Sequence, residues 1–287
     1  MYTLRNQMVL PRVGLGTAEL LERRTASEIE ELIVEACKNG CKLFDTAPVY
    51  GTEEVIGRGL AKAIANNVID REDVIISTKL SNEAQGYHST LQAFEDSREC
   101  LGVEYIDVYL IHWPIPKGHE EDYRELNVSS WKAMEELYQQ GKVKAIGVCN
   151  FLPRHIENIL RHADIPPMVN QLEIHPWYQQ IETVRWCQEH DILVEAWGPL
   201  NHGAVMQSRK LEEMAHKYYV SPAQLVLAWL TQRNILPIPK ASSIKRICEN
   251  QEIPPIVFEE EDRIILHSMD SVDGHAAYWN YKRQLNF

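Results

Sequence analysis

The sequence lacks the features that define several large classes of protein. It has no run of the roughly 18 apolar residues that a membrane-spanning helix needs, and its first residues, Met1 to Asn6, lack the apolar stretch of a secretory signal. Its six cysteines include no Cys-x-x-Cys pair and no zinc-ligand spacing. We therefore expect reduced thiols in a cytoplasmic protein and no metal site.

Positive charge is also scarce. There are 29 Lys and Arg against 41 Asp and Glu, for a net charge of −12. Phosphate backbones and anionic lipids would repel such a chain, so neither nucleic acid nor a membrane is an expected partner. Apolar residues make up 45% and charged residues 24%, which is the usual composition of a folded globular protein.

Short β-branched runs alternate with helix-periodic segments along the chain, which is typical of a parallel sheet covered by helices. Helix signals lie between the runs: Thr25 and Glu28 form a capping box, Gly141 closes a segment, and Ser221-Pro222 opens one. The predicted strands are Val13–Leu15, Cys41–Phe44, Val74–Thr78, Ile106–Ile111, Val143–Val148, Met168–Asn170, Ile192–Glu195 and Ile235–Ile238.

About eight such repeats in 287 residues predict an α/β fold of the (β/α)8 TIM barrel type, as a single domain over residues 1–287. The alternative, an open dinucleotide-binding sheet, would need a third glycine after Gly14-Leu15-Gly16. The segment Leu4–Leu10, with a turn at residues 5–7, is predicted to be an N-terminal β-hairpin that plugs the bottom of the barrel.

Polar or aromatic side chains end most of the apolar runs. The carboxyl ends of barrel strands meet at one rim, where active sites of this fold are built. Any one of these side chains could be a simple rim hydrogen bond or salt bridge, but their recurrence favours a site. They are Asp45, Lys79, His112, Asn150, Gln171, Trp197 and Lys240.

Four residues of successive repeats, Asp45, Tyr50, Lys79 and His112, suggest acid catalysis. A free tyrosine is a weak acid at neutral pH, and a nearby ammonium is expected to lower its pKa. Asp45 would hold the ammonium of Lys79 in place, and His112 would orient a carbonyl oxygen. Such a cluster could protonate a developing alkoxide, but a separate source of electrons is needed.

The sequence resembles the aldo-keto reductase family, most nearly its bacterial-type members with short loops, such as the 2,5-didehydrogluconate reductases. The resemblance rests on Pro11–Thr17, Phe44–Ala47 with Tyr50-Gly51, Leu110–Pro114, Gly141-Lys142, Gly147–Phe151, Val169–Gln171 and Ile238–Lys240. It implies an oxidoreductase that reduces aldehydes or ketones with a nicotinamide cofactor. Tyr50 is then the proton donor, and Asp45 and Lys79 adjust its acidity. His112 orients the substrate carbonyl.

A basic segment near the C-terminus indicates where the cofactor phosphates bind. Residues 236–248 carry Lys240, Lys245 and Arg246 and no acid. Cations in the first turns of a helix are unfavourable unless an anion binds there, although a solvated basic turn is the alternative. The resemblance implies that Lys240 and Arg246 hold the 2′-phosphate of NADPH, which is expected over NADH.

The resemblance also implies the remaining cofactor contacts. Asn150 and Gln171 would bind the nicotinamide carboxamide, Trp197 would stack on the ring, and Gly198 and Leu200 would lie near the pyrophosphate, with Glu249 and Asn250 at the adenine. The sequence departs from the commoner family pattern at Cys149, Gly198 and Ala241, where serine is usual. These departures concern cofactor affinity and leave the catalytic residues intact.

The substrate pocket is less well defined by the sequence. Val49 and Trp113 flank catalytic residues and are predicted to line it with His112, while Trp113–Val128 is predicted to be a solvated loop. The aromatic tail (Tyr278, Trp279, Tyr281 and Phe287) could cover the barrel mouth or anchor elsewhere. The expected partner is a small carbonyl compound, and the chain is expected to be a monomer.

Two other functions remain open from the sequence. One is a nucleotide-binding regulatory or structural barrel with little turnover, and the other is a lyase in which Lys79 forms a Schiff base. Asp45 argues against the lyase, because a lysine paired with a carboxylate stays protonated.

Overall fold

The structure of the protein, a computed structural model, describes residues 1–275. Its strands are β1 (Tyr2–Thr3), β2 (Val9–Leu10), β3 (Leu15–Gly16), β4 (Leu43–Asp45), β5 (Ile75–Leu80), β6 (Ile106–Ile111), β7 (Val143–Cys149), β8 (Val169–Glu173), β9 (Leu193–Trp197) and β10 (Ile235–Ile238). Its helices are α1 (Ala26–Lys38), α2 (Glu53–Ala65), α3 (Tyr87–Leu101), α4 (Tyr123–Gln139), α5 (Pro153–Leu160), α6 (Ile181–Glu189), α7 (Arg209–Lys217), α8 (Pro222–Gln232), α9 (Ile244–Gln251) and α10 (Glu260–Ser268).

Strands β3 to β10 form one parallel sheet in sequential order. Its two edge strands meet through a bridge between Gly16 and Lys240 and a hydrogen bond of 3.0 Å from the Gly14 N–H to the Pro237 carbonyl. The sheet therefore curls into a barrel, and the predicted (β/α)8 TIM barrel is confirmed.

The two glycines at this junction are needed for close packing. A Cβ atom on Gly14 would lie 2.5 Å from Cδ2 of Leu43, and one on Gly16 would lie 3.3 Å from the Ile238 carbonyl oxygen. Gly14-Leu15-Gly16 thus lets two strands meet, which explains glycines at this spacing in a chain without the dinucleotide-binding glycine motif.

The predicted N-terminal hairpin is confirmed, but it begins at Tyr2, before the predicted segment Leu4–Leu10, and it packs against the barrel interior. Strands β1 and β2 pair antiparallel around a turn at residues 5–7. Tyr2, Leu4 and Leu10 share one apolar cluster with inward-facing strand residues such as Val108 and Leu236. The Tyr2 hydroxyl donates to the carbonyl of Ile235, where β10 begins, so the hairpin covers the amino-terminal end of the barrel.

Most strands end one to three residues later in the sequence than predicted. Asp45, Lys79 and Trp197 are the last or nearly the last residues of their strands rather than residues after them. Ladder hydrogen bonds join backbone groups, so a polar side chain does not end a strand when it faces a polar barrel mouth.

The helix starts predicted at Thr25 and Ser221 are confirmed, each with a capping box. The prediction of a solvated loop over Trp113–Val128 is wrong in part, because helix α4 begins at Tyr123 and buries both Tyr123 and Asn127. Among residues 1–275, no helix is both long and apolar enough to cross a bilayer.

Candidate active site

A buried ion pair lies at the carboxyl end of β4 and β5. The Lys79 ammonium donates to both carboxylate oxygens of Asp45, at 2.9 and 2.8 Å, and to the carbonyl of Thr46 at 3.0 Å. Lys79 is fully buried and Asp45 is nearly so. These three contacts to fixed acceptors hold the lysine in one place.

The electrostatics keep Lys79 charged. Burial alone would lower the pKa of Lys79, but the adjacent Asp45 carboxylate raises it above its ordinary value. A protonated amine has no lone pair for attack on a carbonyl, so this geometry argues against the Schiff-base lyase.

Tyr50 lies beside this ion pair on a short 3₁₀ turn, Pro48–Tyr50, which ends at Gly51 with φ of 65°. Nζ of Lys79 is 5.0 Å from the centroid of the Tyr50 ring. Burial raises the pKa of Tyr50 to about 12, although the Lys79 ammonium opposes the rise. The ammonium thus acts in the predicted direction, but burial outweighs it, and Tyr50 carries its proton at neutral pH.

His112 follows β6 and faces Tyr50. Their ring centroids are 5.8 Å apart with an interplanar angle of 86°. Burial, with a smaller contribution from the Lys79 charge, lowers the pKa of His112 to about 3. The imidazole is therefore neutral at physiological pH and can donate one hydrogen bond without carrying charge.

A layer of amides lies next to these residues. Asn150 has φ of 63°, a left-handed conformation that asparagine tolerates, and its Nδ2 donates to the His112 carbonyl at 3.1 Å and contacts Cys149 Sγ at 3.2 Å. Nε1 of Trp197 donates to Oδ1 of Asn150 at 2.8 Å. The Asn150 side chain therefore fixes the indole of a partly exposed tryptophan at the barrel mouth.

Gln171 links the ion pair to a residue that the sequence analysis did not single out. Its Nε2 donates to Oδ1 of Asp45 at 2.8 Å and to Oε2 of Glu195 at 2.9 Å. Two carboxylates thus orient the amide, while Oε1 accepts a hydrogen bond of 3.9 Å from Sγ of Cys149. Glu195 stands in a predicted strand two residues before Trp197, and this period-2 spacing could have placed it on the inward face.

The predicted phosphate-binding residues lie near the junction of β3 and β10. Nζ of Lys240 forms an ion pair of 3.0 Å with Glu19, and Nε of Arg24 donates to the Ser242 carbonyl. The ion pair of Glu19 was not predicted from the sequence, because its partner, Lys240, is more than 200 residues away. The loop after β3 is thus tied to the loop after β10.

Helix α9 begins directly after Ser243, whose side chain makes no capping hydrogen bond. Arg246 is exposed in its first turn, and within residues 1–275 it pairs with no carboxylate. Backbone N–H groups without a side-chain cap, beside an unpaired guanidinium, fit a phosphate. Glu249 is partly buried and Asn250 is buried on the same helix.

Gly198 and Leu200 follow β9, whose last residue, Trp197, pairs with Ile238 in register. The segment after Trp197 therefore lies beside the segment that leads to Lys240. Gly198 has φ of 60°, which glycine adopts without strain, so serine there would be less favourable.

The predicted substrate-side residues are at the mouth. Val49 is 66% exposed and Trp113 is partly buried. Gln85 donates to the Trp113 carbonyl at 2.7 Å, and Asn127 donates both to Gln85 and to the Pro114 carbonyl. Buried amides thus anchor the start of the loop after β6. The predicted aromatic tail lies outside the described residues.

Comparison with known proteins relates the whole barrel to one family. A model of the Aldo/keto reductase family matches residues 12–270. A 9,11-endoperoxide prostaglandin H2 reductase of Trypanosoma cruzi is 40% identical over 263 residues, covering 91% of this chain and 88% of the relative. A glyoxal reductase of Bacillus subtilis is 39% identical over 271 residues, covering 94% and 91%. The structure of a Bombyx mori aldo-keto reductase in complex with NADP aligns with a TM-score of 0.88 at 30% identity, covering 98% of this chain and 96% of the other.

Proposed function

Because the chain belongs to the aldo/keto reductase family, we propose that Tyr50 is the general acid with which it reduces carbonyl compounds. The protein is an NADPH-dependent oxidoreductase that converts aldehydes or ketones to alcohols. The observation that carries the assignment of Tyr50 is the buried Lys79–Asp45 ion pair beside its ring.

The cluster can move a proton to a carbonyl oxygen. When bound, NADPH would supply the hydride for the new C–H bond at the carbonyl carbon. As negative charge develops on the oxygen, the Tyr50 hydroxyl donates its proton, and the Lys79 ammonium stabilises the resulting tyrosinate. Asp45 holds Lys79 in place. Neutral His112 hydrogen-bonds the same oxygen and so orients the substrate.

We assign the cofactor contacts on the same basis. Asn150 and Gln171 face the carboxamide. The amide of Gln171 is held by Asp45 and Glu195, and the fixed indole of Trp197 provides a stacking surface. Arg246 and Lys240 take the 2′-phosphate at the start of α9. Gly198 and Leu200 lie along the pyrophosphate, and Glu249 and Asn250 contact the adenine.

The substrate we propose is a small, reactive aldehyde such as glyoxal. The barrel mouth is open where Val49 is exposed, and one relative with 39% identity is a glyoxal reductase. Val49 and Trp113 contact the substrate beside His112. We further propose a cytoplasmic monomer with a single domain over residues 1–287.

Turnover of a carbonyl panel tests this function. The expected result is NADPH oxidation by glyoxal with a kcat/KM at least tenfold above that for a bulky ketone or an aldose sugar. Faster turnover of the bulky ketone would overturn the substrate class. Binding of NADPH without turnover of any carbonyl would instead favour the regulatory or structural barrel.

A further inference from the structure

Glu195 is an ionisable group inside the barrel that the reaction described above does not use. It is fully buried on β9, two residues before Trp197, and therefore on the same inward face of the strand. Its Oε2 accepts from Gln171, whereas its Oε1 is buried and, within residues 1–275, has no hydrogen-bond partner. A buried carboxyl oxygen without a partner is costly, so it needs an explanation.

Within residues 1–275, no basic side chain forms an ion pair with Glu195. The ammonium of Lys79 instead contacts Asp45 and Thr46. If Glu195 and Asp45 were both ionised, the two carboxylates bonded to Gln171 would have one adjacent ammonium between them, and so a net negative charge. A positive charge bound beside Gln171 and Trp197 would relieve this imbalance.

We propose that Glu195 is a positioning residue that holds Gln171 and serves as the counter-charge for the oxidised nicotinamide ring, losing its proton when NADP⁺ binds and regaining it with NADPH. This inference rests on the proposed cofactor site at Gln171 and Trp197. Because an ionised Glu195 favours the cationic ring, it favours hydride donation and thus the reductive direction.

The groups around Glu195 permit this titration near neutral pH. Burial and then Asp45 raise the pKa of Glu195 to about 7, while the Gln171 hydrogen bond and Lys79 lower it. β10 contributes the apolar Leu236, which is opposite Glu195 in register. From β7, burial raises the pKa of the Cys149 thiol, and His112, with a pKa near 3, stays neutral over this range.

Binding measurements on the whole protein separate this role from a structural one. Isothermal titration calorimetry in buffers of different ionisation enthalpy counts the protons released by NADP⁺ and by NADPH. Both carry the same 2′-phosphate, so its titration cancels in the difference. For the wild type near pH 7, NADP⁺ is expected to release roughly half a proton more than NADPH. Between pH 6 and 8 its affinity relative to NADPH should rise by roughly threefold to tenfold.

Glu195→Gln keeps an acceptor for Gln171 but cannot ionise, so we expect both effects to vanish while NADPH still binds. Glu53→Gln is the matched control: Glu53 is a buried carboxyl on α2, hydrogen-bonded to Thr78, and burial raises its pKa too. It should behave as the wild type. A Glu195→Gln variant with the wild-type proton release and pH dependence would overturn the inference. Failure of the wild type to bind either cofactor would instead overturn the proposed function.

Discussion

The ammonium of Lys240 lies 3.0 Å from the carboxylate of Glu19, and both side chains are partly exposed beside the junction of β3 and β10. The lysine assigned to the 2′-phosphate thus already has an anionic partner in the chain itself. The pKa of Glu19 is lowered, chiefly by its hydrogen bond to Lys240, so the Glu19 carboxylate is ionised at neutral pH. A cofactor phosphate must therefore compete with Glu19 for Lys240.

Glu19→Gln should strengthen NADPH binding, because Lys240 no longer has to leave an ion pair. A partly exposed pair contributes up to about 1 kcal/mol, so we expect a dissociation constant lower by roughly twofold to fivefold. Quenching of tryptophan fluorescence measures it. Glu22→Gln, an exposed glutamate of the same loop, should have no effect. Weaker binding by Glu19→Gln would show that the carboxylate assists the cofactor instead.

Arg246→Ala should weaken NADPH binding by roughly tenfold to a hundredfold, since charge-assisted hydrogen bonds contribute about 1.5–3 kcal/mol. NADH lacks the 2′-phosphate, so its affinity should stay the same. Steady-state KM values for the two cofactors, beside those of Lys245→Ala, provide the measurement. An equal loss for NADH and NADPH would contradict the assignment of Arg246.

His112 should remain neutral from pH 5 to 8, because its folded-state pKa is lowered to about 3. In ¹⁵N-labelled histidine NMR spectra, the His112 resonances are expected not to shift over this range. His112→Ala identifies the signal. A midpoint for His112 near 6.5 would mean that it is charged in acidic conditions and binds the carbonyl as a cation.

Glu195→Gln should also stabilise the protein in neutral solution. The pKa of Glu195 is near 7 in the folded chain and about 4.5 when unfolded, so the folded state keeps a proton that the unfolded state loses. Wild-type stability therefore falls as pH rises through this window, by up to about 3 kcal/mol. Urea unfolding should show the variant gaining stability relative to the wild type between pH 4.5 and 8. A constant difference would mean that Glu195 ionises normally.

The barrel and the placing of Asp45, Tyr50, Lys79 and His112 at its rim could be predicted because both depend on local patterns. Apolar runs, caps at Thr25 and Ser221, and polar residues at strand ends are each readable within a few positions. Glu195 was missed because it stands inside an apolar run. Its role depends on which face of the strand is directed into the barrel, and the run alone does not show this. The ion pair of Glu19 was missed because its partner is distant in sequence. The rise that burial causes in the pKa of Tyr50 was not predicted because burial depends on the packing of the whole barrel.

Single-turnover reduction of glyoxal by Tyr50→Phe tests the central claim most directly. Loss of the hydroxyl should slow NADPH oxidation by about 10²–10⁴-fold, because the developing alkoxide has no general acid. Fluorescence titration should show that the variant binds NADPH within about twofold of the wild type, since the phenol is not assigned a cofactor contact. A variant that binds NADPH and reduces glyoxal at close to the wild-type rate would contradict the account.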